Sequence, residues 1–212
     1  KPMATNTNPA RGLIPYCHFD GSKYNGSGNI YYVAAAYTAT SIFIGDPLVT
    51  HSASNDANGI PAVNIGVTGS AVFGVMLSIV DGGPFAATPI TVTRDLPTYH
   101  PLGTAQYILC CDDPTVLYAV RDDGSSNTNF APSLWPGKNA TLIPGSGNTT
   151  TGYSGWQLAA STVATTNTLD VKIIRALNQA DNLIGTTTNT NMNAIWLVKL
   201  NNNEYANQSA GV

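Results

Sequence analysis

Charge is what this 212-residue sequence has least of. Asp, Glu, Lys and Arg make up 10% of it, against about 25% in an average globular chain. Glutamate occurs once, at Glu204, and the formal net charge is −3. That balance builds no phosphate-binding surface, so nucleic acid is not expected as a partner. Strong helix formers are equally scarce: besides the single Glu there are four Gln, and Lys and Arg together number nine. No membrane span is expected either. The longest apolar run, residues 71–80, is broken by Gly74 and Ser78 and is too short to cross a bilayer. The first residues carry no basic-then-apolar leader pattern, though a processed leader would leave no trace.

In place of charge the chain carries amides and hydroxyls, with 21 Asn and 25 Thr. Gly (20) and Pro (13) punctuate it often, while Val, Ile, Thr and Tyr dominate its apolar stretches. These residues suit pleated, half-buried surfaces. Together they imply an all-β fold, a β-barrel or β-sandwich of many short antiparallel strands. The composition fits virion proteins and secreted binding modules better than a cytosolic metabolic enzyme.

Residues 1–29 hold three prolines and four glycines around one brief apolar stretch, Leu13-Ile14-Pro15-Tyr16. They read as an extended N-terminal arm that could reach about 90 Å when fully stretched. Its anchors for a partner are Leu13, Ile14, Tyr16 and Tyr24, with Arg11 and Lys23 supplying charge. A β-rich body is expected over residues 30–202 and a tail over 203–212. Strands are expected at residues 30–33, 41–44, 47–50, 60–65, 70–80, 90–93, 105–111, 115–121, 140–143, 168–176 and 194–200, several alternating with period two, as in residues 169–174, where Asp170 and Lys172 are expected to point away from the buried face. Asn58-Gly59, Asp81-Gly82-Gly83 and Asp123-Gly124 mark tight turns. The polar stretch 144–152 reads as a loop or hairpin tip. The region 122–137 is either a boundary between two β subdomains or an insertion loop in one.

Few residues suggest chemistry. Cys17, Cys110 and Cys111 have no zinc-site spacing, and the adjacent pair on a strand must face opposite sides, so all three read as small apolar fillers in a reducing cytosol. His18, His51 and His100 stand beside turn residues or Pro and read as exposed loop positions. Asp112-Asp113 and Asp122-Asp123 bracket one strand. Paired carboxylates are what glycoside hydrolysis uses, but Asp113-Pro114 and Asp123-Gly124 are turn dipeptides, and Asp at such sites caps turns. No catalytic residue, cofactor or metal site is expected. Asn-X-Ser/Thr triplets at Asn25, Asn139, Asn148 and Asn207 match what this composition gives by chance. Trp196 reads as part of a buried strand, whereas Trp135 and Trp156 stand in polar, Gly/Pro-rich surroundings suited to loop contacts.

The order of several segments resembles that in small virion structural proteins of tailed bacteriophages. They are Asn8-Pro9-Ala10-Arg11-Gly12-Leu13-Ile14-Pro15, Asp20-Gly21-Ser22-Lys23-Tyr24-Asn25-Gly26 and Ile42-Phe43-Ile44-Gly45-Asp46-Pro47-Leu48-Val49, then Gly145-Ser146-Gly147 with Thr149-Thr150-Thr151-Gly152, Asp181-Asn182-Leu183-Ile184-Gly185, and Trp196-Leu197-Val198-Lys199-Leu200-Asn201-Asn202. The resemblance spans residues 8–202 and departs at Cys17-His18, where a basic residue more usually precedes His, and in the uncharged tail after Glu204. It implies a non-enzymatic capsid decoration, or cement, protein. Such a protein binds the major capsid protein on the outer capsid surface of a virion assembled in the host bacterial cytoplasm. Repeated shell geometry favours self-association, a homotrimer first and a dimer second. The competing readings are a receptor- or carbohydrate-binding β-domain on the virion surface and another head or tail subunit.

Overall fold

A computed structural model describes residues 6, 9–36, 40–51, 55–80, 97–188 and 192–205. The protein is all-β. Among the described residues there is no α-helix, only two three-residue 3-10 turns at Pro132–Leu134 and Ala160–Thr162. Strands β2 (Asn29–Val33), β3 (Pro47–His51), β4 (Ala62–Ile65), β5 (Gly74–Val80) and β6 (Gln106–Cys111) close a barrel in the order β2-β4-β3-β5-β6. Its pairs are antiparallel except β2 with β4, which meet in parallel at Tyr32 and Ala62. Strands β1 (Ile14–His18), β7 (Val116–Arg121), β8 (Asn139–Ala140), β11 (Val171–Ala176) and β12 (Ile195–Leu200) form a separate sheet in the order β1-β7-β12-β11-β8. The short β9 (Leu142–Ile143) and β10 (Gln157–Leu158) pair with each other.

Two cores result, and single strands feed both. Phe73, Met76 and Cys110 fill the barrel core, while Val72, Val75 and Cys111 join the core under the five-stranded sheet. The pleat explains this, because successive side chains leave a strand on opposite faces. The two cysteines are buried, as fillers should be, but in different cores. The chain passes from barrel to sheet at residues 112–115, a four-residue turn between β6 and β7.

The extended arm requires correction. Within it, residues 14–18 form β1, an edge strand of the sheet on β7, and Leu13 is fully buried in the sheet core. The segment is held from the barrel side too: Leu13 N–H donates to Gly45 O at 2.9 Å, and Gly12 and Gly45 approach so closely that a side chain at either would meet backbone within 2.5 Å. Both have positive φ, +67° and +94°, where glycine alone is unstrained. Tyr24 packs, partly buried, against the sheet core. What reads as linker composition is thus the punctuation of a tightly bent segment that belongs to the core.

Three further expectations change. Trp135 and Trp156 are buried, not loop contacts, and the Trp135 ring lies 5.0 Å from that of Trp196. His100 is buried rather than exposed, with Nε2 2.8 Å from Thr104 O. Asp170, read as pointing to solvent, is buried and accepts the Leu142 N–H at 2.7 Å. In each case the burial involves residues distant in sequence, as with Leu142 and Gly69 on Asp170, Ile42 on His100 and Trp196 on Trp135, which the local pattern does not show. The polar stretch 144–152, expected as a loop or hairpin tip, forms with residues 153–155 a strap. Asn148 Oδ1 accepts the N–H groups of Thr150 and Thr151, and the strap joins the barrel through Ile44 N–H to Gly152 O and Ser154 N–H to Ile44 O. The expected strand at 90–93 and the turn at 81–83 lie outside the described residues.

Candidate functional site

The exposed apolar side chains gather most clearly at the β1 edge, where Tyr16 is 48% and Phe19 62% exposed. Tyr16 is the bulged residue of β1, because the register with β7 slips between Pro15 and Cys17. A bulge leaves one residue unpaired and re-aims its side chain, so the ring stands outward on an otherwise ordered strand. Phe19 follows β1 directly and is held by its own N–H, which donates to Thr115 O at 2.8 Å. The Lys199 ammonium lies 5.6 Å from the Phe19 ring centre. Beyond it the chain turns back. His18 N–H donates to Ser22 O, Cys17 bridges Lys23, and this turn covers the end of the open strand edge.

Beside the aromatics lies an open groove of about 360 Å³ lined by His18, Phe19, Asp20, Ser22 and Thr115. Its polar wall is pre-organised. Asp20 Oδ1 accepts the Ser22 N–H at 2.8 Å, and this bond, with the Ser22 hydroxyl and nearby His18, holds the Asp20 carboxyl below the usual range. For Asp113 partial burial acts upward, but the Thr115 hydroxyl and N–H, both 2.7 Å away, outweigh it and lower the carboxyl. His18 Nδ1 lies 3.4 Å from Asp113 Oδ2 and 3.3 Å from Thr115 Oγ1. A nucleophilic relay places hydroxyl and carboxylate on opposite ring nitrogens. Here both face Nδ1, so the trio positions the ring and sets up no proton relay. The groove offers an aromatic wall, the Asp20 carboxylate and the Ser22 and Thr115 hydroxyls, with Asp113 bonded to Thr115 beside it, a surface for contact.

Of the expected contact residues, the structure leaves Tyr16 available and sets Lys23 at the adjoining turn. It withdraws Leu13, Trp135 and Trp156 into the cores, and it places Ile14 and Tyr24 in partly buried positions. Arg11 stands apart from the groove, its guanidinium 5.4 Å from the Tyr153 ring centre. Phe19 and Thr115 were missed. The signal for Phe19 was a large aromatic just after the apolar stretch 13–16 and just before an Asp-Gly turn; Thr115 comes from 97 residues away and had none.

The four bracketing carboxylates act as acceptors for the chain itself. Asp112 takes Tyr31 Oη and Asn29 Nδ2, Asp113 takes Thr115, Asp122 takes Trp196, and Asp123 takes Ser125 and the Ala160 N–H. Among the described residues no group of three or more His, Cys, Asp or Glu is arranged to hold a metal ion, and no helix is long and apolar enough to cross a membrane. Comparison with known protein families, with characterised proteins and with solved structures returns no match.

Proposed function

We propose that this chain is a non-enzymatic virion structural protein that decorates the bacteriophage capsid, binding the shell of major capsid protein as an oligomer and cementing it. The observation that carries the reading is the Tyr16–Phe19 pair, two exposed aromatics on and just beyond an edge strand, beside a groove with a polar wall. Aromatics anchored on ordered backbone are typical energetic centres of protein interfaces, because little side-chain entropy is lost on binding. The ordered resemblance of residues 8–202 to virion proteins supplies the partner class. The body also suits a load. Its amino-terminal strand, strap and carboxyl-terminal segment all cross between barrel and sheet, so force applied at one surface spreads over many backbone hydrogen bonds.

The test is to image virions produced with and without this chain, and to measure rebinding of wild type and the double variant Y16A/F19A. Density on the outer shell that disappears with the chain, and rebinding at least tenfold weaker in the variant, are expected. Solution scattering of the isolated protein at micromolar concentration should show a particle of about three chain masses. A chain absent from the virion overturns the reading.

The aromatic wall and adjacent carboxylates also favour a second reading, a carbohydrate- or receptor-binding domain on the virion surface, since sugars stack on exposed rings. Binding of a defined glycan that is lost in F19A, with no shell density, would select it.

A further inference from the structure

The groove beside Phe19 is unusual in what its hydrogen-bonding groups have left to offer. Its backbone donors are spent inside the turn. His18 N–H donates to Ser22 O at 2.9 Å, Phe19 N–H to Thr115 O at 2.8 Å, and Ser22 N–H to Asp20 Oδ1 at 2.8 Å. Thr115 spends both its N–H and its hydroxyl hydrogen on Asp113 Oδ1, each at 2.7 Å. The Ser22 hydroxyl is likewise bonded to Asp20.

Acceptors are what these side chains still present. A hydroxyl whose hydrogen is committed has only lone pairs to offer, and an ionised carboxylate accepts throughout. His18 Nδ1 faces two acceptors, Asp113 Oδ2 at 3.4 Å and Thr115 Oγ1 at 3.3 Å. The network therefore assigns the ring hydrogen to Nδ1, and the neutral ring keeps Nε2 as an acceptor too. Asp20, the formally charged residue of the lining, is negative, and Asp113 adds a second carboxylate behind Thr115. The Phe19 ring already draws a cation: the Lys199 ammonium stands 5.6 Å from its centre, and the ring is still 62% exposed.

We infer that this groove is a socket for an arginine side chain of a partner protein, which under the decoration reading, on which this inference rests, is the shell subunit. A guanidinium has five N–H donors and no acceptor, so it complements side chains that have acceptors alone. Its planar fork pairs with carboxylate oxygens and stacks on aromatic faces, and Asp20 and Phe19 present one of each in adjacent positions. A lysine ammonium matches the charge but not the flat shape. A sugar hydroxyl both donates and accepts, and its oxygen finds the donors of Ser22 and Thr115 already committed. The groove is open and holds about 360 Å³, room for one side chain presented by a protein surface.

The experiment records amide NMR spectra of the intact chain with three probes: N-acetyl-arginine methylamide, N-acetyl-lysine methylamide and methyl glucoside. The arginine probe should shift the Ser22 and Thr115 signals with a Kd on the order of 1 mM, the scale expected for so small a ligand. The other two should respond more weakly. Asp20→Asn keeps the oxygen that accepts the Ser22 N–H and removes the charge, so it should weaken the arginine probe roughly tenfold. Rebinding of Asp20→Asn to virions stripped of this chain should fall by a similar factor, and the arginine probe should compete with wild-type rebinding. No response of wild type to the arginine probe, with virion rebinding intact, overturns the inference and leaves the decoration reading standing; that outcome requires no variant to fold. Rebinding of Asp20→Asn equal to wild type overturns it as well. An arginine response that is lost in Asp20→Asn, in a chain that does not rebind stripped virions, overturns the decoration reading and keeps the socket. A lysine or glucoside response as strong as the arginine one overturns the guanidinium assignment.

Discussion

Asp122 and Trp196, 74 residues apart, are joined under the five-stranded sheet by a 2.9 Å hydrogen bond in which indole Nε1–H donates to Oδ2. The same carboxylate accepts the N–H groups of Ala194 at 3.0 Å and Gly124 at 2.9 Å, and it is fully buried. One side chain thereby fixes the end of β7, the start of β12 and the turn between β7 and the first 3-10 turn. Replacing it with Ala leaves three donors unpaired inside the protein. Asp122→Ala should cost about 3–5 kcal/mol, and Asp122→Asn, which keeps one oxygen, less. Urea denaturation followed by tryptophan fluorescence measures both.

Asp46 sets a pH dependence. It is 2% exposed, and burial pushes its carboxyl up to about 6 although the Phe43 N–H donates to it at 2.7 Å and the Ser154 hydroxyl bonds it. A carboxyl whose folded pKa is raised binds more protons folded than unfolded. Its contribution to stability is complete at low pH and is lost as pH rises from about 4 to about 6, by roughly 3 kcal/mol for a shift of this size. Burial raises Asp122 and Asp170 in the same direction. Melting curves across pH 4–7 should show Asp46→Asn losing less stability over that window than wild type. Parallel curves would mean that Asp46 stays ionised throughout.

Gly45 should tolerate no side chain. Its φ is +94°, and an added Cβ would stand 2.5 Å from Arg11 O. The left-handed backbone costs a non-glycine residue about 1 kcal/mol, and overpacking against backbone typically adds 1–3. Gly45→Ala is therefore expected to destabilise by about 2–4 kcal/mol. Gly59, also at positive φ but with open space around it, provides the control, and Gly59→Ala should cost only the conformational share. Equal losses at the two sites would remove the close approach as the cause.

Deleting residues 1–22 should damage the body, not merely shorten it. The deletion removes β1 and the fully buried Leu13 and uncovers the β7 edge. Leu13→Ala alone is expected to cost about 2–5 kcal/mol, and the truncated chain should lose its cooperative unfolding transition. A truncated protein that melts like wild type would mean the amino-terminal strand contributes little to the sheet.

Much of the fold was legible in the residues. The expected strands at 30–33, 47–50, 105–111, 115–121, 168–176 and 194–200 overlap β2, β3, β6, β7, β11 and β12, because alternation records which face of a strand is buried. β1 was hidden. Pro15, the bulge at Tyr16 and the surrounding glycines mask its pattern, and its place depends on pairing with β7 about 100 residues later. The buried Trp135, Trp156, His100 and Asp170 were misread for a related reason. Their burial comes from distant segments that cover them, and local polarity reports only near neighbours.

For the candidate site, the sequence by itself determined its ingredients: exposed-type aromatics near residue 16, a polar Asp-Gly turn, and few cations in a weakly acidic chain. That these are aromatics held at a sheet edge, with Thr115 in the groove wall and Lys199 beside Phe19, was decided by tertiary structure alone. That Arg121, Lys172 and Lys199, and through the bulge after Ile173 also Arg175, share one face of the five-stranded sheet belongs to the same category. Composition counts charges without assigning them a face, and only strand order and register, fixed by which apolar side chains must be buried, bring residues 121, 172 and 199 onto one surface.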